Sequence, residues 1–347
     1  MQNKTDGYVI FKNGQRGIIS YGGTIVRDSL LSKNKEVVAV SLPNSVECID
    51  DGAFEGCTEL KEIKIPNSVK TIGWLAFGSC SIEELHIPES VTSIGLDICE
   101  PYKLNYIFVD VNNPVYCSKG NCLIDIEEKT LVLGCNRSFI PDDGSVTKIG
   151  CSAFLGCDFP ELVVPESIEE IEDGAFGCGF IDKLYIHKTI KNIENGAFDT
   201  SSSSSLVIHY SGTQEQWNKV YHGNDVKVVF NVKIPKNKQG TVQYKNGKTN
   251  IIPFEVESFN LKLFAQDAED EIVKVVLSEN TKKIVAGAFS NFKSLKEVYI
   301  PESVKTIVES AFDNCPLLTV HYDGSPRGWK KIYPKNDVKV VCKRKFF

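Results

Sequence analysis

At 347 residues, with 42% apolar and 24% charged residues, the chain has an ordinary globular composition and enough length to bury a substantial core. Its formal net charge of −6 argues against a basic nucleic-acid footprint or an anionic-membrane surface. No run of about 18 apolar residues occurs, so no membrane-inserted helix is expected.

Residues 1–30 hold two short apolar runs, Tyr8–Phe11 and Ile18-Ile19, around Asn13-Gly14. Asn-Gly tolerates the positive φ angles of a type I′ turn, which predicts a β-hairpin. The stretch MQNKTDGYVIFKNG lacks the apolar segment of an export signal. If Met1 is the natural start, a cytoplasmic protein is expected; a start further upstream leaves a secreted or cell-surface placement.

From about residue 37 a pattern returns at a nearly fixed interval, clearest in Leu60–Cys80, LKEIKIPNSVKTIGWLAFGSC. Its Ala-Phe pair stands at Ala53-Phe54, Ala76-Phe77, Ala153-Phe154, Ala175-Phe176, Ala197-Phe198, Ala288-Phe289 and Ala311-Phe312, with neighbouring Phe residues 22 or 23 apart. A period of that size signals a solenoid. Ile63 and Ile65 alternate with Lys64, the period of a strand with one buried face. Pro66 ends the strand, because it has no N–H to donate. Val69 and Ile72 then carry a second short extended piece inward. Ala76-Phe77 closes the circuit on the opposite side, where a short helical or 3-10 turn is expected. One unit cannot bury these residues, so stacked units must share a column of Ile over Ile and Phe over Phe.

The recurring Ile-Pro-x-Ser-Val-x-x-Ile…Ala-Phe-x-x-Cys, seen again at Ile87-Pro88 and Ile300-Pro301, resembles the leucine-rich repeats of the BspA-like class found in surface proteins of bacteria and some parasitic protists. The resemblance covers roughly residues 37–210 and 272–322. Ile98-Cys99 replaces Ala-Phe, His187 replaces Pro, and Phe292 replaces the repeat Cys. It implies a β-rich, right-handed leucine-rich repeat coil and a non-enzymatic role in surface adhesion or host interaction.

The rhythm breaks at about residues 110–139. Cys122–Ile126 and Leu131–Leu133, with Glu127–Thr130 as the turn, read as a hairpin inserted at a repeat boundary. Cys117, Cys122 and Cys135 lie in this insert as the one cysteine group with reactive or metal-binding potential, although no His or carboxylate stands at ligand spacing. Elsewhere the cysteines follow the repeat. Cys57, Cys80, Cys157 and Cys315 come three residues after their Phe and Cys178 two, as expected of small buried hydrophobes. A second run of units resumes at Ile140-Pro141 and ends near Ser201–Ser205, which reads as a solvated loop.

Two internal duplications give the domain plan. His209-Tyr210…Trp217…Asn224-Asp-Val-Lys-Val-Val229 recurs, position for position, as His321-Tyr322…Trp329…Asn336-Asp-Val-Lys-Val-Val341. Phe11-Lys-Asn-Gly14 recurs in the same way as Tyr244-Lys-Asn-Gly247. Each module is therefore expected to run from an Asn-Gly hairpin cap through repeats to a Trp-containing closing segment. The first covers 1–230, closing over 211–230, and the shorter second covers 231–347, with Asn231–Gly240 as the junction.

The sequence carries no phosphate loop, dinucleotide fingerprint, nucleophile elbow or His-Glu-x-x-His helix, so no catalytic, cofactor or metal residue is assigned. Function is expected on the surface. The residue between the two apolar anchors of each strand points outward, giving Ser41, Lys64, His86, Phe108, Val163, Tyr185, Val276 and Tyr299. Among these, Lys64, His86, Phe108, Tyr185 and Tyr299 form the candidate recognition strip for a protein or polysaccharide. The competing reading is that aromatic and β-branched residues simply suit a strand surface. Trp217 and Trp329 are candidates either to cap the last unit or to stack on a sugar, the basis of an alternative carbohydrate-binding reading.

Overall fold

A computed structural model describes residues 7–19, 25–26, 31, 33–136, 138–199, 206–223, 226–234, 240–245, 249–252, 258–261, 269–278, 281–335 and 337–342. The serines 201–205, part of the 231–240 junction and the second Asn-Gly turn lie outside them. The chain forms two compact units, Met1–Pro235 and Lys236–Phe347.

In the first unit each coil contributes one longer strand and one two-residue strand to opposite walls. Val37–Ser41 pairs in parallel with Glu62–Lys64, and Glu84–Ile87 with Tyr106–Val109. Opposite them Ile25–Val26, Cys48–Ile49, Thr71–Ile72 and Ser93–Ile94 run in parallel. Ile49, Phe54, Ile72, Phe77 and Leu85 are fully buried between the walls. The Phe rings stack along the coil axis, 5.8 Å between the centroids of Phe54 and Phe77, then 5.6 Å and 6.1 Å along Phe154, Phe176 and Phe198. Each such pair contributes about 0.5–1.5 kcal/mol beyond its buried area.

The Ala-Phe corner is built of consecutive tight turns rather than a 3-10 helix, which occurs instead at Pro101–Lys103 and Glu269–Glu271. Two left-handed residues per corner are the reason. The residue before Ala has positive φ in most coils (Gly52 61°, Leu75 49°, Ser152 55°), and so does the residue two after Phe (Gly56 75°, Ser79 59°, Cys178 54°) or, in the first coil, two after Leu31 in the same slot (Lys33 60°). Positive φ interrupts a right-handed turn and folds the chain back around the ring. Ile98-Cys99 occupies the Ala-Phe slots of its coil, since Ile98 accepts from the Phe77 N–H as Ala76 does from Phe54. In the coil before Phe154 the Phe slot falls to Gly134, where a Cβ would collide with the Phe154 ring.

The first hairpin, Gly7–Phe11 with Arg16–Ile19, pairs antiparallel to Val37–Ser41 and so covers the first open edge. Its turn is not type I′, because Gly14 alone takes positive φ, at 80°. The second hairpin, Gly240–Tyr244 with Thr249–Ile252, repeats the register of the first, including a bulge at Gln243/Tyr244 that matches Ile10/Phe11. In the second unit Ile272–Val276, Glu297–Ile300, Thr319–Tyr322 and Lys339–Cys342 form the long-strand wall. Its Phe259, Phe289 and Phe312 repeat the ring column.

The insert has one strand more than the hairpin read from sequence: Tyr116–Lys119, Cys122–Asp125 and Thr130–Leu133 form an antiparallel meander. Tyr116–Lys119 escapes sequence reading because Cys-Ser-Lys lacks an apolar alternation. Both faces of the meander are buried. Leu123 and Leu133 enter the core that begins at Val9, whereas Cys122, Ile124 and Leu131 enter the core that ends at Tyr221. Ile140-Pro141, where a strand is expected, is buried but not a strand; the run resumes with Lys148–Ile149, parallel to Thr130–Leu133.

Side chains of the insert close the edges of the first run. The Asn121 amide accepts from the Ile107 N–H and donates to the Asn105 carbonyl, both at 2.9 Å, standing in for a backbone neighbour beside Tyr106–Val109. The Tyr116 hydroxyl accepts from the Ile94 N–H at 3.1 Å on the opposite wall. Buried Asn113 donates to the Pro88 and Val91 carbonyls and accepts from the Val115 and Tyr116 N–H groups.

Two stability outcomes follow. Leu75→Gly is expected to be more stable than Leu75→Ala by about 1 kcal/mol in chemical denaturation, reversing the usual Ala-over-Gly order, because both delete the side chain and only Gly is at ease at positive φ. Asn113→Ala is expected to cost about 3 kcal/mol by leaving buried backbone groups unpaired, against about 0.5 kcal/mol or less for Asn112→Ala on the exposed loop.

Candidate functional site

The outward residues of the long strands form two ladder arrays in the first unit, one on either side of the insert, and one array in the second unit. Ser41 faces Lys64, and His86 faces Phe108. Beyond the insert, Val163, Tyr185, His209 and Val229 face one another in turn. In the second unit the order is Val276, Tyr299, His321 and Val341. Lys64 and His86 are exposed; Phe108, Tyr185 and Tyr299 are half-buried. Within the first unit the ladders are divided because Asn121 and the insert end the first wall at Tyr106–Val109.

Every array sets a histidine ring against an aromatic ring on the neighbouring strand. Centroids are 4.6 Å apart for His86 and Phe108, 4.9 Å for Tyr185 and His209, and 4.3 Å for Tyr299 and His321, the last pair nearly parallel at 6°. His209 and His321 are absent from the sequence-derived strip. Their signal is the His-Tyr dipeptide that precedes both closing segments.

Tyr299 has the most complete surroundings. Lys274 Nζ lies 4.6 Å from its ring centroid, while Glu297 stands 3.7 Å from Lys274 Nζ, 3.5 Å from His321 Nε2 and 3.4 Å from the Tyr299 hydroxyl. In the first array Glu84 likewise sits 3.5 Å from His86 Nε2. Such partly exposed pairs contribute little to stability, roughly 0–1 kcal/mol. With neighbours stacked on both faces, the Tyr299 ring presents its edge outward.

The tryptophans of the two closing segments are buried. Trp217, 5% exposed, lies on helix α1 (Gln214–Val220) between Tyr210 and Tyr221; Trp329, 6% exposed, lies on helix α2 (Pro326–Ile332) between Tyr322 and Tyr333. Thr213 and Gln216 form a reciprocal capping box on α1, and Ser325 caps α2. Tyr221 and Tyr333 meet the last Phe of each column edge-on, at 5.4 Å. Neither indole offers a free face for a sugar ring.

The repeat cysteines tie coils together. Cys57, Cys80 and Cys315 donate their S–H to backbone carbonyls one coil earlier, those of Leu31, Phe54 and Phe289. Burial pushes these thiols up, Cys315 to about 11. Cys178 instead occupies the left-handed slot and is exposed. In the insert, Cys122 and Cys135 belong to different cores, and Cys117 is half-buried. Among the described residues no disulfide is formed, and no three His, Cys, Asp or Glu side chains converge as a metal site.

The family model described as a BspA type leucine rich repeat region (6 copies) matches residues 24–115, 126–237 and 257–331. The chain belongs to the BspA-type leucine-rich repeat family. The first gap in the match falls on the start of the insert meander. No curated protein matches this BspA-type chain. Crystal structures similar to it include a leucine rich cell surface protein from Faecalibacterium prausnitzii (21% identity, 88% of this chain and 64% of that one, TM-score 0.38). Others are the pneumococcal vaccine antigen PcpA (14%, 88% and 68%, 0.41) and a leucine-rich repeat protein from Eubacterium ventriosum (17%, 91% and 88%, 0.37). The chain thus spans less than two thirds of the Faecalibacterium protein.

In this BspA-type array thiol reactivity should follow burial. At pH 8 a thiol with a pKa of about 11 is roughly one part in a thousand thiolate, and reactivity climbs as pH approaches that value. Iodoacetamide on the native protein is expected to label Cys178 first, with Cys57, Cys80, Cys99, Cys122 and Cys157 labelled only after unfolding. Mass spectrometry showing early labelling of that buried set would contradict the packing described.

Proposed function

We propose that the chain is a non-enzymatic binding scaffold that engages a protein partner through the outward ladders of its long strands. The supporting observation is the histidine–aromatic stack present in all three arrays. Rings held by neighbours lose little conformational freedom on binding, and Tyr is among the residues that most often dominate interface energetics. The family's resemblance to surface proteins extends the proposal to adhesion or host interaction outside the cell.

The carbohydrate alternative is weaker on physical grounds. Sugar stacking requires an open ring face, whereas Tyr299 is covered on both faces and the candidate residues Trp217 and Trp329 are buried.

The test compares Phe108→Ser, Tyr185→Ser and Tyr299→Ser with Trp74→Ser, whose side chain is 52% exposed and lies off the ladders. Affinity for a partner recovered on the wild-type protein is measured by surface plasmon resonance. At least one ladder variant is expected to bind about 30-fold more weakly, the size of an interface hot spot, with Trp74→Ser unchanged. Equal affinities across all four would remove the strand face from the proposal.

A further inference from the structure

Two of the three tryptophans close the units, and the third, Trp74, is 52% exposed. It stands on the corner that follows the short strand Thr71–Ile72, two residues before Ala76. Leu96, 55% exposed, holds the same slot one coil later, two residues before Ile98. The backbone sets the two slots side by side. The Leu75 N–H donates to the Leu96 carbonyl at 3.4 Å, and a Cβ on Gly95 would come within 2.6 Å of the Trp74 nitrogen. On the other side the Trp74 N–H donates to the Asp51 carboxylate at 2.7 Å. The indole itself has no ring, cation or hydrogen-bond partner among the described residues. A large apolar ring left open beside a second exposed apolar side chain is a recognition feature rather than a packing one.

The ground around this apolar pair is acidic. The corners at residues 50–57, 73–80, 95–100, 150–157, 172–178 and 194–199 hold nine Asp and Glu and no Lys or Arg. Away from the corners the same unit pairs carboxylates with cations one coil apart, as Glu47 with Lys70 and Glu169 with Lys191. Asp51, beside Trp74, and Asp97, which follows Leu96, form no ion pair among the described residues. Past Leu96 the face continues to Cys151, whose thiol is pushed up by burial and then by the charges of Asp97, Asp173 and Glu172. The excess extends to the whole unit: residues 1–235 carry 20 Lys and Arg against 32 Asp and Glu, a net −12.

We propose that the Trp74–Leu96 corner is a docking site for an arginine-bearing segment of a protein partner. A guanidinium is planar, stacks on an indole face and bonds a carboxylate through two N–H groups, so one Arg can use Trp74 and Asp51 together. Its methylenes cover the apolar surface beside Leu96. A lysine answers the charge but lacks the plane. A neutral sugar can stack on the ring but leaves the carboxylates uncompensated. The charge of the unit steers a cationic segment toward the corner. The corner lies off the ladders, so Trp74→Ser is expected to spare a ladder partner while losing this one.

The test titrates the full chain into dye-labelled hexa-arginine and hexa-lysine peptides, read by fluorescence anisotropy. Hexa-arginine is expected to bind more tightly than hexa-lysine, and both to weaken as salt rises. Trp74→Ser should weaken hexa-arginine about tenfold with unchanged circular dichroism. Asp51→Asn with Asp97→Asn should do the same; Asn keeps the acceptor for the Trp74 N–H and tolerates the φ of 51° at Asp97. Glu89→Gln with Glu161→Gln, which removes equal charge from exposed positions off the corner, should change affinity less than about twofold. Absence of hexa-arginine binding, indifference to Trp74→Ser, or equal effects of the corner and control pairs would overturn the proposal. So would tighter, Trp74-dependent binding of neutral cellohexaose, or Trp74-dependent self-association in light scattering, which would assign the corner to a sugar or to a second copy.

Discussion

No coil of this protein has a core of its own. The Phe of one turn is covered by the Phe of the next, and the ring fits because the chain enters and leaves its corner through two left-handed residues. Backbone hydrogen bonds between successive corners, and S–H bonds from the repeat cysteines back to the previous carbonyls, fix the same stagger. The period of the repeat is the contour length that returns one ring directly over another. A left-handed residue such as Leu75 costs about 1–2 kcal/mol, and the buried ring column offsets it.

A structure whose stability is shared between neighbours has a problem wherever neighbours run out. The molecule solves it in three ways. An antiparallel hairpin covers each first strand. The insert ends both walls of the first run with Asn121 and Tyr116 while its other face opens the second core, so it is a partition rather than an appendage. The closing helices end each ring column with a Tyr set edge-on, backed by Trp. These solutions account for most of the large side chains that fall outside the repeat pattern.

That division explains what was legible in the sequence. The period, the strand cores, the Ala-Phe column and the duplicated ends could be read because each slot admits only a narrow range of volumes or demands Pro. The left-handed slots could not, because they hold Leu75, Lys33 and Cys178 as well as glycine; Cys178 looks like a displaced repeat cysteine until its backbone is seen. Asn113 and Asn121 look like loop residues, since nothing local distinguishes an amide that replaces a strand from one that faces water. The division between the two ladders of the first unit is equally hidden, because it is made by side-chain hydrogen bonds with no periodic signature.

The two units also separate what packing dictates from what it leaves free. In the two closing segments Tyr, Trp and Tyr recur with the same ring contacts, whereas the exposed positions between them exchange Glu for Arg and Asn for Lys. The short-strand corner shows the same divergence. Lys70 and Lys191 bond Glu47 and Glu169 one coil earlier, while at the equivalent step Lys305 follows Lys282. A buried Trp constrained by its aromatic neighbours would be the same whatever the protein bound. The exposed positions are under no such constraint, and two copies of one backbone carrying different charge there can serve different partners without any change of fold.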